Sequence, residues 1–193
     1  MEIYLMKNLF CQTLKAAIAA LCMLLFNGCG NFSPTNEIPA VRDFNLKRYM
    51  GKWYEIARLP HNFEVDVTDA QTVYTLQDDG TVIVENSGIK NHIRTYAHAV
   101  ARSVTPGSTL GELEVSFFYP FYSMYKIIYL NKDYTLAIVT GNSMDYVWIL
   151  ARKPVISKNE LAMCLQMLGK WGYAVKLLQY STGEIMSILP DNQ

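Results

Sequence analysis

The sequence predicts an all-β domain of eight short strands, built as a sandwich or an up-and-down barrel, with one helix after the strands. Three observations predict it. Turn residues interrupt apolar runs at regular short spacing over about 100 residues, from Tyr49 to Arg152. The period then changes from two to about 3.6 after Pro154. The chain has 193 residues, 51% of them apolar and 18% charged, which supplies one real core and excludes disorder.

Residues 1–28 read as a cleaved signal. Lys7 and Lys15 form its basic start, with Met1 or Met6 as the first residue. Residues 16–26 are an uncharged run of eleven, which suits a signal core. The run is too short to span a bilayer, which needs about 20 residues. The stretch Leu25-Phe26-Asn27-Gly28-Cys29 resembles the bacterial lipobox, although Phe26 and Asn27 depart from its usual residues. That resemblance implies acylation of Cys29 and anchoring in a membrane, and Gly30 after it implies sorting to the outer membrane. Residues 29–40, with Gly, Asn, Ser, Pro and Thr, read as a lipidated tether. Residues 41–182 are the domain and 183–193 a tail. Removal of residues 1–28 takes Lys7, Lys15 and Glu2, leaving 15 of 17 basic and 16 of 17 acidic residues. A net charge near zero gives no electrostatic footprint for nucleic acid.

The strands follow in order. Residues 53–58 form the first and 71–76 the second. Asp79-Gly80 is a favoured tight-turn pair that returns the chain into 81–85. Residues 95–101 are the fourth strand, rich in small side chains. Residues 112–117 alternate polar and apolar, so one face is solvated. Residues 125–130, 134–139 and 146–152 complete the set, separated by Asn131-Lys132-Asp133 and Gly141-Asn142. The helix is expected over about 157–168. Ser157 and Glu160 have capping-box spacing, and Leu161, Cys164, Leu165 and Leu168 share a face. Cys164 reads as a small buried hydrophobe. A short strand over 175–180 closes the domain.

Three separated motifs resemble the lipocalin signature. Gly51-Lys52-Trp53 is a G-x-W at the start of the first strand. Asp133-Tyr134 stands at the turn before the seventh, and Arg152 at the end of the eighth. The stretches 49–58, 115–118, 120–122 and 145–150 look like the lipoprotein-type bacterial lipocalins, relatives of apolipoprotein D. The resemblance implies an eight-stranded antiparallel up-and-down β-barrel with one C-terminal helix packed outside. Closing such a sheet makes Trp53 and Arg152 neighbours, so a cation–π contact at the closed end is expected. Gly51, Trp53, Asp133, Tyr134 and Arg152 are therefore structural.

The resemblance also implies a small lipophilic ligand, a lysophospholipid or fatty acid, held in the cell envelope for storage, transport or membrane maintenance under stress. It admits a homodimer. Candidate cavity or rim residues are Glu55 and Ala57, which share the Trp53 face by the two-residue period. Phe117, Tyr119, Tyr122 and Tyr125 come from a group with six aromatics in residues 117–125. Tyr96, Tyr146 and Trp148 join them by strand position, and Phe63 by its place in the loop resembling the family's entrance loop. Glu55 is a polar anchor for ligand or a structural group paired with Tyr or Arg. No catalytic residue, metal or cofactor is expected. His61, His92 and His98 have no partner at ligand spacing, and no G-x-S-x-G elbow is present. The alternatives are an enzyme of the same fold acting on a lipid or isoprenoid, and an envelope interaction module with a filled barrel.

Overall fold

A computed structural model describes residues 34–60 and 67–181. The signal, Cys29, Phe63, His61 and the tail lie outside the described residues. The described part falls within one compact unit, Ser33–Gln193. A 3-10 turn, Pro34–Glu37, precedes helix α1, Leu46–Tyr49. The strands are β1 Gly51–Arg58, β2 Thr68–Leu76, β3 Val82–Lys90, β4 Ile93–Ser103, β5 Glu112–Phe118, β6 Phe121–Leu130, β7 Leu136–Thr140 and β8 Val147–Ala151. Helix α2, Lys158–Lys170, a 3-10 turn, Val175–Leu177, and the two-residue β9, Gln179–Tyr180, follow.

Each strand pairs antiparallel with its sequence neighbour, and β1 pairs with both β8 and β2. The sheet thus closes as an eight-stranded barrel, which decides against the sandwich. β9 is an addition that pairs with β1 outside the eight. Tyr54 is the last β1 residue in register with β2, and β9 takes up Ala57 and Arg58 beyond it.

Several strand bounds depart from the sequence expectation: β2 begins at Thr68 and β6 at Phe121, each earlier than expected. β3 and β4 run on to Lys90 and Ile93, and Asn91 and His92 between them both have positive φ, at 51° and 64°. Two consecutive left-handed residues are what a two-residue hairpin turn of matching twist requires. β7 begins at Leu136 rather than at 134, because Tyr134 has φ 60° and belongs to the preceding turn. The expected strand over 175–180 is mostly a 3-10 turn, with β9 its only extended part.

Two apolar clusters hold the molecule together. One fills the lower barrel interior with Tyr49, Trp53, Tyr74, Val82, Val84, Ala99, Ala101, Ile127, Val139 and Leu150. The other lies between the outer sheet face and α2. There Ile56, Ala57, Leu136, Ile138, Val147 and Ile149 meet Leu161, Cys164, Leu165 and Leu168. The capping box forms as its spacing predicts. Glu160 N donates to Ser157 Oγ at 3.2 Å, and Ser157 N donates to Glu160 Oε2 at 2.9 Å.

Candidate functional site

The Trp53 end of the barrel is closed. Arg152 Cζ lies 4.0 Å from the centroid of the Trp53 ring. The same guanidinium donates to five backbone carbonyls: Tyr134 at 3.2 Å, Lys52 at 2.7 Å, Arg48 at 3.1 Å, Tyr49 at 3.0 Å and Met50 at 2.7 Å. One planar fork therefore ties the chain before β1 to the turn before β7. Gly51 has φ 89°, so the backbone shape favours glycine; a Cβ there would meet Arg152 Nη1 at 3.4 Å, an ordinary contact. Tyr134 accepts from Asn45 N at 2.8 Å through its hydroxyl and lies under Arg48. Asp133 is exposed. The turn is held instead by Asn131, whose Oδ1 accepts from Thr135 N at 2.7 Å and Leu136 N at 3.1 Å.

Strand directions place the turns around 77–81, 104–111 and 131–135 at this closed end. The connections at 91–92, 119–120 and 141–146 ring the other end. On β4, β6 and β8 the inward-facing side chains become more exposed toward that mouth, while those of β1 and β7 stay buried. On β4 Ala101 and Ala99 are buried, while Ala97 and Thr95, two and four residues further along the same face, are exposed. On β6 Ile127 is buried, Tyr125 half-buried and Ser123 exposed. On β8 Leu150 is buried and Trp148 half-buried, and Tyr146 just before the strand, its ring stacked 6.3 Å from that of Trp148, is half-buried too. The barrel is a cup with a filled floor and an open upper half. Small residues on β4 leave its space.

Three tyrosines form the cup's floor. Tyr125 Oη lies 2.7 Å from Tyr49 Oη and 2.9 Å from Tyr74 Oη. Burial pushes the Tyr49 and Tyr125 phenols well above their ordinary range, so both are neutral donors and acceptors. Higher on the wall, Thr72 donates to Asn86 Oδ1 across β2 and β3 at 2.8 Å.

The β1 wall carries a buried ion pair. Glu55 accepts from Arg58 and from Ser181 Oγ, the latter at 2.9 Å, and Arg58 also donates to Val67 O at 3.2 Å. A bulge between Glu55 and Ala57 makes this pair. Residues three apart on a regular strand face opposite sides. The extra residue Ile56 changes the phase, so Glu55 pairs with Leu150 and Arg58 with Trp148, both on the inner face. Beside the pair, where β1 and β2 part, is a cleft of about 200 Å³ lined by Tyr54, Glu55, Asp69, Ala70, Gln71, Arg94, Pro154 and Ser181.

The candidate residues therefore separate. Glu55, Tyr125, Tyr146 and Trp148 line the cup, and Phe117 stands at its rim. Tyr119 is at the rim too, 85% exposed at the tip of the β5–β6 hairpin. Three expectations are corrected. Ala57 packs in the cluster under α2, because the bulge turns it outward with Ile149. Tyr96 faces outward: it is one residue out of phase with Ala97 and opposite Ser87. Tyr122 also faces outward, with Arg102 Cζ 4.2 Å from its ring centroid. Sequence reasoning missed Arg58, Ser181, Tyr49 and Tyr74 as parts of the site. Arg58 and Ser181 gave no signal, since the bulge and the return of the C-terminal segment create their contacts. Tyr74 could have been found by its period-two spacing from Thr72.

Comparison with known proteins agrees with this geometry. Residues 44–182 match the family described as a lipocalin-like domain. The chain is 34% identical over 169 residues to the outer membrane lipoprotein Blc of Vibrio cholerae, covering 86% of this chain and 98% of that protein. It is 36% identical over 165 residues to the outer membrane lipoprotein Blc of Escherichia coli K12, covering 85% and 93%. In structure it resembles insecticyanin from the tobacco hornworm Manduca sexta, with TM-score 0.61 and 18% identity over 75% of this chain and 84% of that one.

Proposed function

This chain belongs to the lipocalin family, and on that premise we propose that it binds a small lipophilic ligand, a fatty acid or lysophospholipid, in the open half of its barrel. The carrying observation is the exposure of inward-facing Thr95, Ala97 and Ser123 above a buried floor. A barrel filled by its own side chains would bury those positions. The acyl chain would lie against Val115, Tyr125 and Trp148, with its polar head toward the mouth. At about 0.8 kcal/mol per buried CH₂, a sixteen-carbon chain brings about 12 kcal/mol before association costs, more than micromolar binding needs. The protein acts by sequestering its ligand and not by catalysis.

We further infer that Cys29 is acylated and holds the domain at the outer membrane, facing the periplasm, where it stores or carries lipid during membrane stress. The lipobox-like stretch and the similarity to proteins named outer membrane lipoprotein support this. Native mass spectrometry of residues 30–193, with lipids extracted and identified, tests the binding. One bound fatty acid or lysophospholipid per chain is expected. Recovery of no lipid, with no uptake of added lysophospholipid or fatty acid, would overturn it.

A further inference from the structure

We propose that the barrel mouth docks directly on a phospholipid surface, with the β5–β6 hairpin tip as its wedge, so that ligand passes between bilayer and cup without crossing bulk water. The proposal rests on the tethered-cup reading above. At the tip, Phe118, Tyr119 and Phe121 are 80%, 85% and 77% exposed. Residues 115–125 contain no charged side chain. Single exposed apolar residues are ordinary, but a cluster of aromatics on one tip marks an interaction site.

The distribution over the molecule is one-sided. Among the described residues, the exposed large aromatics are Tyr96, Phe117, Phe118, Tyr119 and Phe121, all in the mouth-side halves of two hairpins. The closed end exposes only the aliphatic Val104 and Leu110. The second mouth hairpin, β3–β4, adds exposed Ile93 between Lys90 and Arg94. Aromatic rings beside cations suit an anionic lipid surface: the rings sit at headgroup level and the long basic side chains reach the phosphates.

The N-terminal segment fits the same orientation. Lys126, on the outer face midway along β6, donates to Thr35 O at 3.0 Å and Ile38 O at 3.3 Å. The chain then descends to the closed end, where Phe44 N donates to Thr109 O at 2.8 Å. Thr35, the first buried residue described in this segment, therefore stands midway up the barrel wall. Six residues separate Cys29 from Thr35 and can span about 20 Å, while the five residues from Lys126 to Phe121 along β6 rise about 17 Å. An acyl anchor on Cys29 can thus reach the level of the tip. A second copy is a poorer occupant. A stable dimer needs about 800 Å² on each partner, and two separate hairpin tips offer no continuous face of that kind.

The test uses the full chain, purified from cells and reconstituted in vesicles of phosphatidylethanolamine and phosphatidylglycerol, with and without bromine on the upper acyl chain. Tyr119→Trp places a probe at the tip and Val104→Trp one at the closed end, each read as a difference from the parent protein. Quenching of the tip probe at least twofold above the closed-end probe is expected, and Phe118→Ser with Phe121→Ser should abolish it. Equal quenching at both sites, or none at the tip, overturns the docking. Cross-linking between copies through position 119 with no quenching there overturns it in favour of a self-contact. Vesicle flotation and lipid recovered by mass spectrometry read the anchor and the cup separately, so failure of the docking is distinguishable from failure of either.

Discussion

Arg152 concentrates more of the closed end in one side chain than any other residue at the floor. Arg152→Ala removes the contact with Trp53 and five hydrogen bonds to backbone carbonyls, of which Tyr49 O keeps its bond from Trp53 Nε1. We expect a loss of about 3 kcal/mol, read as a lower urea midpoint. Arg152→Lys should recover less than half of that, because an ammonium keeps the charge and loses the planar fork. Glu55 poses the opposite problem. Glu55→Gln leaves the Arg58 charge buried without its counter-charge and should destabilise by about 3 kcal/mol. Replacing both, Glu55→Leu with Arg58→Met, should bring stability back to within about 1 kcal/mol of the parent in the same denaturation experiment. A double variant as unstable as Glu55→Gln would show that the pair itself, and not the orphaned arginine, carries the effect.

At the scale of elements, helix α2 is a self-contained test of local rules. Ser157→Ala removes one half of the capping box and should cost about 1 kcal/mol in thermal or urea denaturation. This helix was legible because its cap and its apolar face are both written within twelve consecutive residues. The Trp53–Arg152 closure was legible for a different reason: a sheet of eight strands that closes into a barrel brings its first and last strands together. Other features depend on a single inserted or twisted residue. Asn91-His92 makes a tight hairpin turn without a glycine to announce it, so β3 and β4 looked shorter than they are. Ile56 reverses the face pattern along β1, which misplaced Ala57 and hid the Glu55–Arg58 pair. Alternation also could not say which face of β4 looks inward. Ala97, not Tyr96, has the lining position, and its small size keeps the cup open.

For the molecule as a whole, buried acids set an alkaline limit. Burial raises the phenols of Tyr49 and Tyr125 well above their ordinary values and pushes the Cys164 thiol up to about 12. Unfolded, these groups lose their protons near ~10 for tyrosine and ~8.5 for cysteine. The native state therefore holds protons that the unfolded state releases. Stability falls as pH rises, with the full contribution present below about 8.5. A urea midpoint flat from pH 6 to 8 and falling steadily from 9 to 11 is expected, with an added step in tyrosinate absorbance at ~295 nm when unfolding releases the buried phenols. A midpoint constant to pH 11 would contradict it. Finally, the return of the chain to β1 has a consequence for solubility. Beyond Tyr54, β1 loses its β2 partner. β9 covers Ala57 and Arg58 there, while Ser181 N donates to Ile56 O at 3.1 Å and Ser181 O accepts from Asp69 N at 3.2 Å. The last described residues thus act as a guard on an otherwise open strand edge. Truncation after Leu178 should leave a row of unpaired amides and carbonyls able to recruit another chain, and light scattering should show the shortened protein self-associating while still folded.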